Sequence, residues 1–197
     1  MKLRLYYPVK PYSITQAFGQ CDPQVCKYYK EVLGLNGHNG DDVVASTGTP
    51  IRAAHDGTVV FAGEDGSAGY GVVVRTDEMY DYKGASMYFK SIYWHLLKTG
   101  IQVRAGQKVK TGDVIGLADS TGISLGSHLH FGLKPVYQGE ASWQWLNTEQ
   151  DNGFKGAVDS TPYWVGMFAE DVPREISRLR DLVAQLTQKL ADLLAKK

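Results

Sequence analysis

The chain has 197 residues, enough for one globular domain with a small appendage. Its 43% hydrophobic and 21% charged residues match neither a fibrous nor a disordered protein. With 21 Lys and Arg against 21 Asp and Glu there is no cationic excess for sequence-independent phosphate binding, and no stretch reaches the roughly 20 apolar residues of a membrane-spanning helix, so neither nucleic acid nor membrane insertion is expected.

Residues 1–11 carry Lys2, Arg4 and Lys10 but neither the long apolar stretch nor the small-residue cleavage site of a signal peptide, which leaves localisation open. Cys21 and Cys26 are the only cysteines; their spacing is compatible with a small disulfide, and no further ligands beside them suggest a metal site. From residue 37 to residue 134 the pattern is all-β, with short β-branched and aromatic runs punctuated by Gly, Pro and Asp. Strands are predicted at 57–62, 71–76, 86–96, 113–118 and 128–133, with turns at 62–70 and 118–127. The fold class is therefore mainly β, an antiparallel sheet core of the sandwich or open-barrel kind.

Residues 136–168 mix Trp143, Trp145, Tyr163 and Trp164 with Gly and Pro and show no clear period, which fits an aromatic cap on the β core better than a substrate-lining segment. Beyond Pro173, Ile176, Leu179, Val183, Leu186, Leu190 and Leu193 recur at alternating intervals of three and four. This is a heptad stripe on an amphipathic helix, begun by Asp171, Pro173 and Glu175 and ended by Lys196 and Lys197. The stripe suits either a parallel coiled-coil homodimer or packing against its own domain, and Leu182 and Leu194 widen it enough for the second.

Four of the five histidines fall in three short patterns: Gly37-His38-Asn39-Gly40-Asp41-Asp42, Tyr93-Trp94-His95-Leu96 and Ser127-His128-Leu129-His130-Phe131. On a strand, His128 and His130 share one face and Leu129 and Phe131 the other. His38 and Asp42 would stand roughly 13 Å apart on a straight strand, too far to share an ion, so the backbone must bend, and Gly40 and Gly37 are placed to permit it. His38, Asp42 and His130 then offer two imidazoles and a carboxylate with a fourth position open, the donor set of a catalytic zinc.

The order and surroundings of these patterns resemble the lysostaphin-type, or LytM-like, zinc metallopeptidases over residues 8–134. The likeness extends to Gly48-Thr49-Pro50-Ile51, Asp56-Gly57-Thr58-Val59, Gly69-Tyr70-Gly71, residues 103–109, Gly112-Asp113-Val114-Ile115-Gly116 and Thr121-Gly122. It implies a lysostaphin-type fold, one Zn2+ per chain on His38, Asp42 and His130, and catalytic histidines at His95 and His128. It also implies a zinc-dependent endopeptidase acting on stem-peptide or cross-bridge bonds of bacterial peptidoglycan, at the cell wall; the lack of a visible signal peptide is compatible with phage-type release, virion association or another export route. The domain reading is a metallopeptidase domain at 1–169, with its core at about 8–135 and an aromatic extension at 136–169, followed by a helix at 170–197. The alternative from another class is a catalytically silent copy of the fold acting as a binding or assembly module through its helix. A biotinyl or lipoyl carrier, suggested by residues 103–116, ranks lowest because no lysine sits at the tip of a suitable turn.

Three departures from the resemblance carry expectations of their own. Asp41 places a second carboxylate beside Asp42, directed to solvent or acting on the metal at second hand. Residues 76–87 exceed a minimal hairpin and are placed to reshape a cleft wall. His55 matches no functional position and reads as structural or solvated.

Overall fold

Alternation along the strands builds the structure, because side chains two apart share a face. On the strand Ala85–Leu96, Phe89, Ser91 and Tyr93 are fully buried while Lys90 and Trp94 are half-buried. On His128–Gln138, Leu129, Phe131 and Leu133 are buried between half-buried His128, His130 and Lys134. One face of the sheet is therefore a core and the other is open to a groove.

This computed structural model describes residues 1–139, 145–167, 176, 179–180 and 183–190. The chain forms two compact units, Met1–Val165 and Gly166–Lys197. In the first, in chain order, lie β1 (Leu5–Tyr6), β2 (Ile14–Gln16), α1 (Pro23–Tyr28) running into a π-turn (Tyr29–Leu33), β3 (Asp41–Val44), β4 (Pro50–Arg52), β5 (Gly57–Glu64), β6 (Tyr70–Thr76), β7 (Tyr80–Tyr82), β8 (Ala85–Leu96), β9 (Lys108–Val109), β10 (Val114–Leu117), β11 (His128–Gln138) and β12 (Trp145–Asn147). The main sheet runs β2-β3-β11-β8-β6-β5-β9, with β12 added beside β11 and β7 beside β8. Its pairings are antiparallel. β4 and β10 pair separately and add Ile51 and Ile115 to the core formed by Val43, Val72, Val74, Phe89, Tyr93, Leu129 and Phe131.

Five predicted strands correspond to β5, β6, β8, β10 and β11, the last running five residues further than expected, to Gln138. Trp164 packs on Phe131 at a centroid distance of 4.9 Å and Tyr163 on Phe89 at 5.5 Å, both against the core. Trp145 instead lies on the groove face, its ring 4.0 Å from the Arg75 guanidinium. Trp143 and Phe168 fall outside the described residues. Residues 76–87 form the β7-β8 hairpin, turning at Lys83 and Gly84 with positive φ. Its tip binds Glu149 through Tyr82 and Lys83, so it braces the segment after β12.

His55 is buried. Its Nδ1 donates to the Asp56 carbonyl, its Nε2 meets Ser91 Oγ at 2.8 Å, and Ser91 accepts from Tyr93 Oη, which accepts from the Ala54 N–H. Every polar group in the chain of bonds is satisfied with His55 neutral, and burial holds its pKa below the usual histidine value.

In the second unit, residues 176, 179–180 and 183–190 are helical. Ile176, Leu179, Val183, Leu186 and Leu190 are exposed. Leu182, Leu193, Leu194, Asp171, Pro173, Glu175, Lys196 and Lys197 lie outside the described residues.

Candidate metal centre and groove

Three adjacent strands assemble the site. Asp42 on β3 lies opposite His130 on β11, and His130 lies opposite Trp94 on β8. His128 is two residues from His130 on the same face. His38 comes in from a bend at Asn39 and Gly40 rather than from the strand. Gly40 serves here by close approach and not by an unusual dihedral, which corrects the expected hinge: a Cβ on it would come within 2.8 Å of the His130 ring and would strike the Phe131 carbonyl. Gly37 is likewise pressed on the backbone of Gly19 and Gln20.

The ligand atoms converge. His38 Nε2 is 3.1 Å from Asp42 Oδ1, His130 Nδ1 is 3.0 Å from the same oxygen, and the two nitrogens are 3.0 Å apart. Tetrahedral ligands at about 2.0 to 2.1 Å from a zinc ion stand about 3.3 Å from one another, close to this triangle. Two imidazole nitrogens and an acceptor-only carboxylate brought this near need a cation or shared protons between them, and the donor set fits zinc. His38 Nδ1 is buried without a hydrogen-bond partner among the described residues.

His95 and His128 flank the triangle, with ring centroids 4.6 Å apart and His95 6.0 Å from His130. His95 has a positive φ of 64° near the end of β8, and its Nδ1 donates to the Thr121 carbonyl at 2.7 Å. His128 Nδ1 donates to the Gly126 carbonyl at 2.8 Å, and its Nε2 lies 3.4 Å from Asp42 Oδ1. Both rings thus have Nδ1 held by backbone and Nε2 left for the site.

The electrostatics follow from burial and this clustering. Burial alone would raise the Asp42 carboxyl, but hydrogen bonds from His128, His130 and His38 outweigh it and hold the group well below the carboxylate range. Burial pushes His95 down to about 4 and also lowers His130. His128 is raised, because the Asp42 hydrogen bond and charge overcome its burial. Asp41, one residue from Asp42, points to the opposite face, where it accepts from the Phe18 N–H and Ser160 Oγ, with Trp164 Nε1 donating to Ser160 in turn. It reaches neither solvent nor the metal position, as strand alternation requires.

The five residues open on a groove of about 900 Å3. One wall is α1 and its π-turn, contributing Tyr28, Tyr29 and Leu33; another is the loop bearing Ile123 and Leu125. The disulfide Cys21–Cys26 ties the start of the first wall, and Tyr29 stacks on His38 with centroids 6.0 Å apart. Burial raises the Tyr29 hydroxyl to about 12. Residues 22–35 had no assigned role from sequence; the available signal was Asp22 before Pro23, a helix start.

Among proteins of known sequence, peptidoglycan DD-endopeptidase ShyA of Vibrio cholerae is 38% identical over 96 residues, 49% of this chain and 20% of that protein. The chain spans a quarter or less of the length of the curated relatives it matches first. Among solved structures, the catalytic domain of the antimicrobial peptidase lysostaphin from Staphylococcus simulans has a TM-score of 0.55 at 26% identity, covering 77% of this chain and 91% of that one. A zinc-containing peptidase from Vibrio cholerae has a TM-score of 0.53 at 28% identity, covering 74% of this chain and 39% of that one. The model of Peptidase family M23 matches residues 36–142, more than half of the chain and inclusive of His38, Asp42, His95, His128 and His130, and the chain belongs to that family.

Proposed function

We propose that the chain is a zinc-dependent endopeptidase that hydrolyses peptide bonds in bacterial peptidoglycan, with one ion held by His38, Asp42 and His130. The observation that carries this reading is the convergence of those three ligand atoms within one groove, beside two further histidines that present Nε2 to it. The names of similar proteins, a peptidoglycan endopeptidase and a zinc-containing peptidase among them, support the substrate and the metal.

Zinc, when bound, supplies Lewis acidity toward a carbonyl and a water of lowered pKa. The chain's own groups do the rest. His95 and His128, each with Nδ1 anchored to a carbonyl, offer Nε2 to take a proton from the attacking water, steady the oxyanion and return the proton to the leaving amine. The groove walls orient an extended peptide across them. A silent binding module has no use for all five side chains directed into one groove, which is why the enzyme reading is preferred.

The test is digestion of peptidoglycan of defined cross-link types, with and without chelator, identifying new amino termini by mass spectrometry. New termini that vanish with chelator and return with zinc are expected. Intact peptidoglycan of every type in the presence of zinc would overturn the proposal. For the exposed stripe from Ile176 to Leu190, the partner is a second copy of this chain, supported by its heptad spacing and its exposure.

A further inference from the structure

The groove face of the main sheet carries a second cluster that the proposed chemistry does not use. Arg75 on β6 lies opposite Lys90 on β8, and Lys90 lies opposite Lys134 on β11. Register puts all three on the face of Asp42 and His130, since Lys134 is four residues along β11 from His130 with Gly132 between them. Lys155 is near enough to act on Lys134 electrostatically, and it lines the groove that holds the histidines. The row of Arg75, Lys90 and Lys134 therefore lies about 13 Å along the strand from the candidate metal centre, with Lys155 near Lys134 as a fourth cation.

Among the described residues, their acidic partners are fewer than the cations. Arg75 shares Asp77 with Lys108, at 3.2 and 2.7 Å, and its Nε is buried without a partner among the described residues. Trp145 lies across its guanidinium, and among the described residues Lys90 Nζ donates to the Trp145 carbonyl, at 3.4 Å, and forms no ion pair. Among the described residues, Lys134 and Lys155 form no ion pair, and the charge of Asp65 supports Lys134. Glu149 is held by Lys83 at 2.7 Å and Tyr82 at 2.9 Å. Like charges directly opposite one another destabilise a sheet. Burial and the neighbouring cations lower both Lys90 and Lys134. An arrangement that costs stability in the free protein is relieved by an anion.

We propose that Arg75, Lys90, Lys134 and Lys155 form a subsite for a carboxylate of the peptide substrate, about four residues along an extended chain from the bond cut. The identity of the ligand rests on the peptidase reading; the subsite itself rests on register and charge. A carboxylate fits better than a polyphosphate backbone, because Arg75, Lys90 and Lys134 form one short row across the sheet and only Lys155 of the four lines the groove. Ile92 and Val73, in register between this row and Trp94, give the intervening floor an apolar surface.

The experiment uses a synthetic cross-linked stem-peptide dimer with free carboxylates and the same dimer with those groups as carboxamides. Binding is measured by calorimetry on chelator-treated full-length protein, wild type, Lys134→Met and Lys134→Arg, and cleavage is measured on the zinc-loaded forms. The wild type is expected to bind the carboxylate form about tenfold more tightly, as for a charge-assisted hydrogen bond. Lys134→Met should lose that preference and melt higher than the wild type, whereas Lys134→Arg should keep it. Equal binding of the two dimers, binding of neither, or an undiminished preference in Lys134→Met overturns the subsite. So does competition by inorganic phosphate without any carboxylate preference, which would assign the cations to phosphate. Cleavage without a carboxylate preference defeats the subsite alone; a carboxylate preference without cleavage of any peptidoglycan defeats the peptidase reading alone.

Discussion

At the scale of single residues, the candidate site depends on what adjacent positions do in opposite directions. Asp41 and Asp42 are neighbours in sequence, yet one binds Ser160 in the core and the other meets three histidines in the groove. Strand alternation made the shared face of His128 and His130 legible in the sequence, and Asp41 followed from the same rule once β3 was known. The duty of Gly40 was not legible, because the His130 ring it accommodates is 90 residues away. The cation cluster was hidden for the same reason: Arg75, Lys90 and Lys134 become neighbours only through the register of β6, β8 and β11, and Lys155 joins them from a turn beyond β12. The two histidine classes should separate on substitution. His95→Ala is expected to keep zinc while cleavage falls by at least about 100-fold, the worth of a positioned acid or base. His130→Ala is expected to lose both. Zinc content by atomic absorption alongside peptidase assays checks this, and equal zinc loss in the two variants would refute the assignment.

Elements long enough to show alternation were readable, and shorter ones were not. Half-buried and buried positions alternate from Tyr88 to Ser91 on β8 and from His128 to Phe131 on β11. α1 has six residues, less than two turns, and no hydrophobic period can be recognised over so short a span. It stands as a groove wall through its disulfide and the contacts of Tyr29, to His38 and Gln16. Between β4 and β5, His55 ties its loop to β8 through Ser91, and this joint is sensitive to pH. Its folded pKa is lowered, so the unfolded chain binds the additional proton as pH falls below about 6.5. The stabilisation is fully present above that pH and is lost toward the lower folded pKa. Replacing His55 by Asn is expected to flatten the stability profile between pH 6.5 and 5 by up to about 1.4 kcal/mol per pH unit. Urea unfolding at several pH values measures it; parallel profiles for the two proteins would show that His55 is not the group responsible.

At the scale of the whole molecule, the β core and the terminal helical segment are separate units, and the described apolar residues of the latter, Ile176, Leu179, Val183, Leu186 and Leu190, are exposed at heptad spacing. Sedimentation of the full chain is expected to give twice the monomer mass, and removal of residues 170–197 is expected to restore the monomer with the β core still folded. A monomer in both cases refutes self-association. The formal net charge is zero, yet Arg75, Lys90 and Lys134 stand in one row on the sheet face, with Lys155 of the groove near Lys134. A neutral molecule feels no net pull toward an anionic surface, and at physiological salt a local cluster is screened beyond about 8 Å. The cluster therefore cannot draw this chain to an anionic surface from a distance or speed its arrival. As the proposed subsite it acts on a peptide already bound, so its influence falls on how long a peptide stays and not on how often one comes.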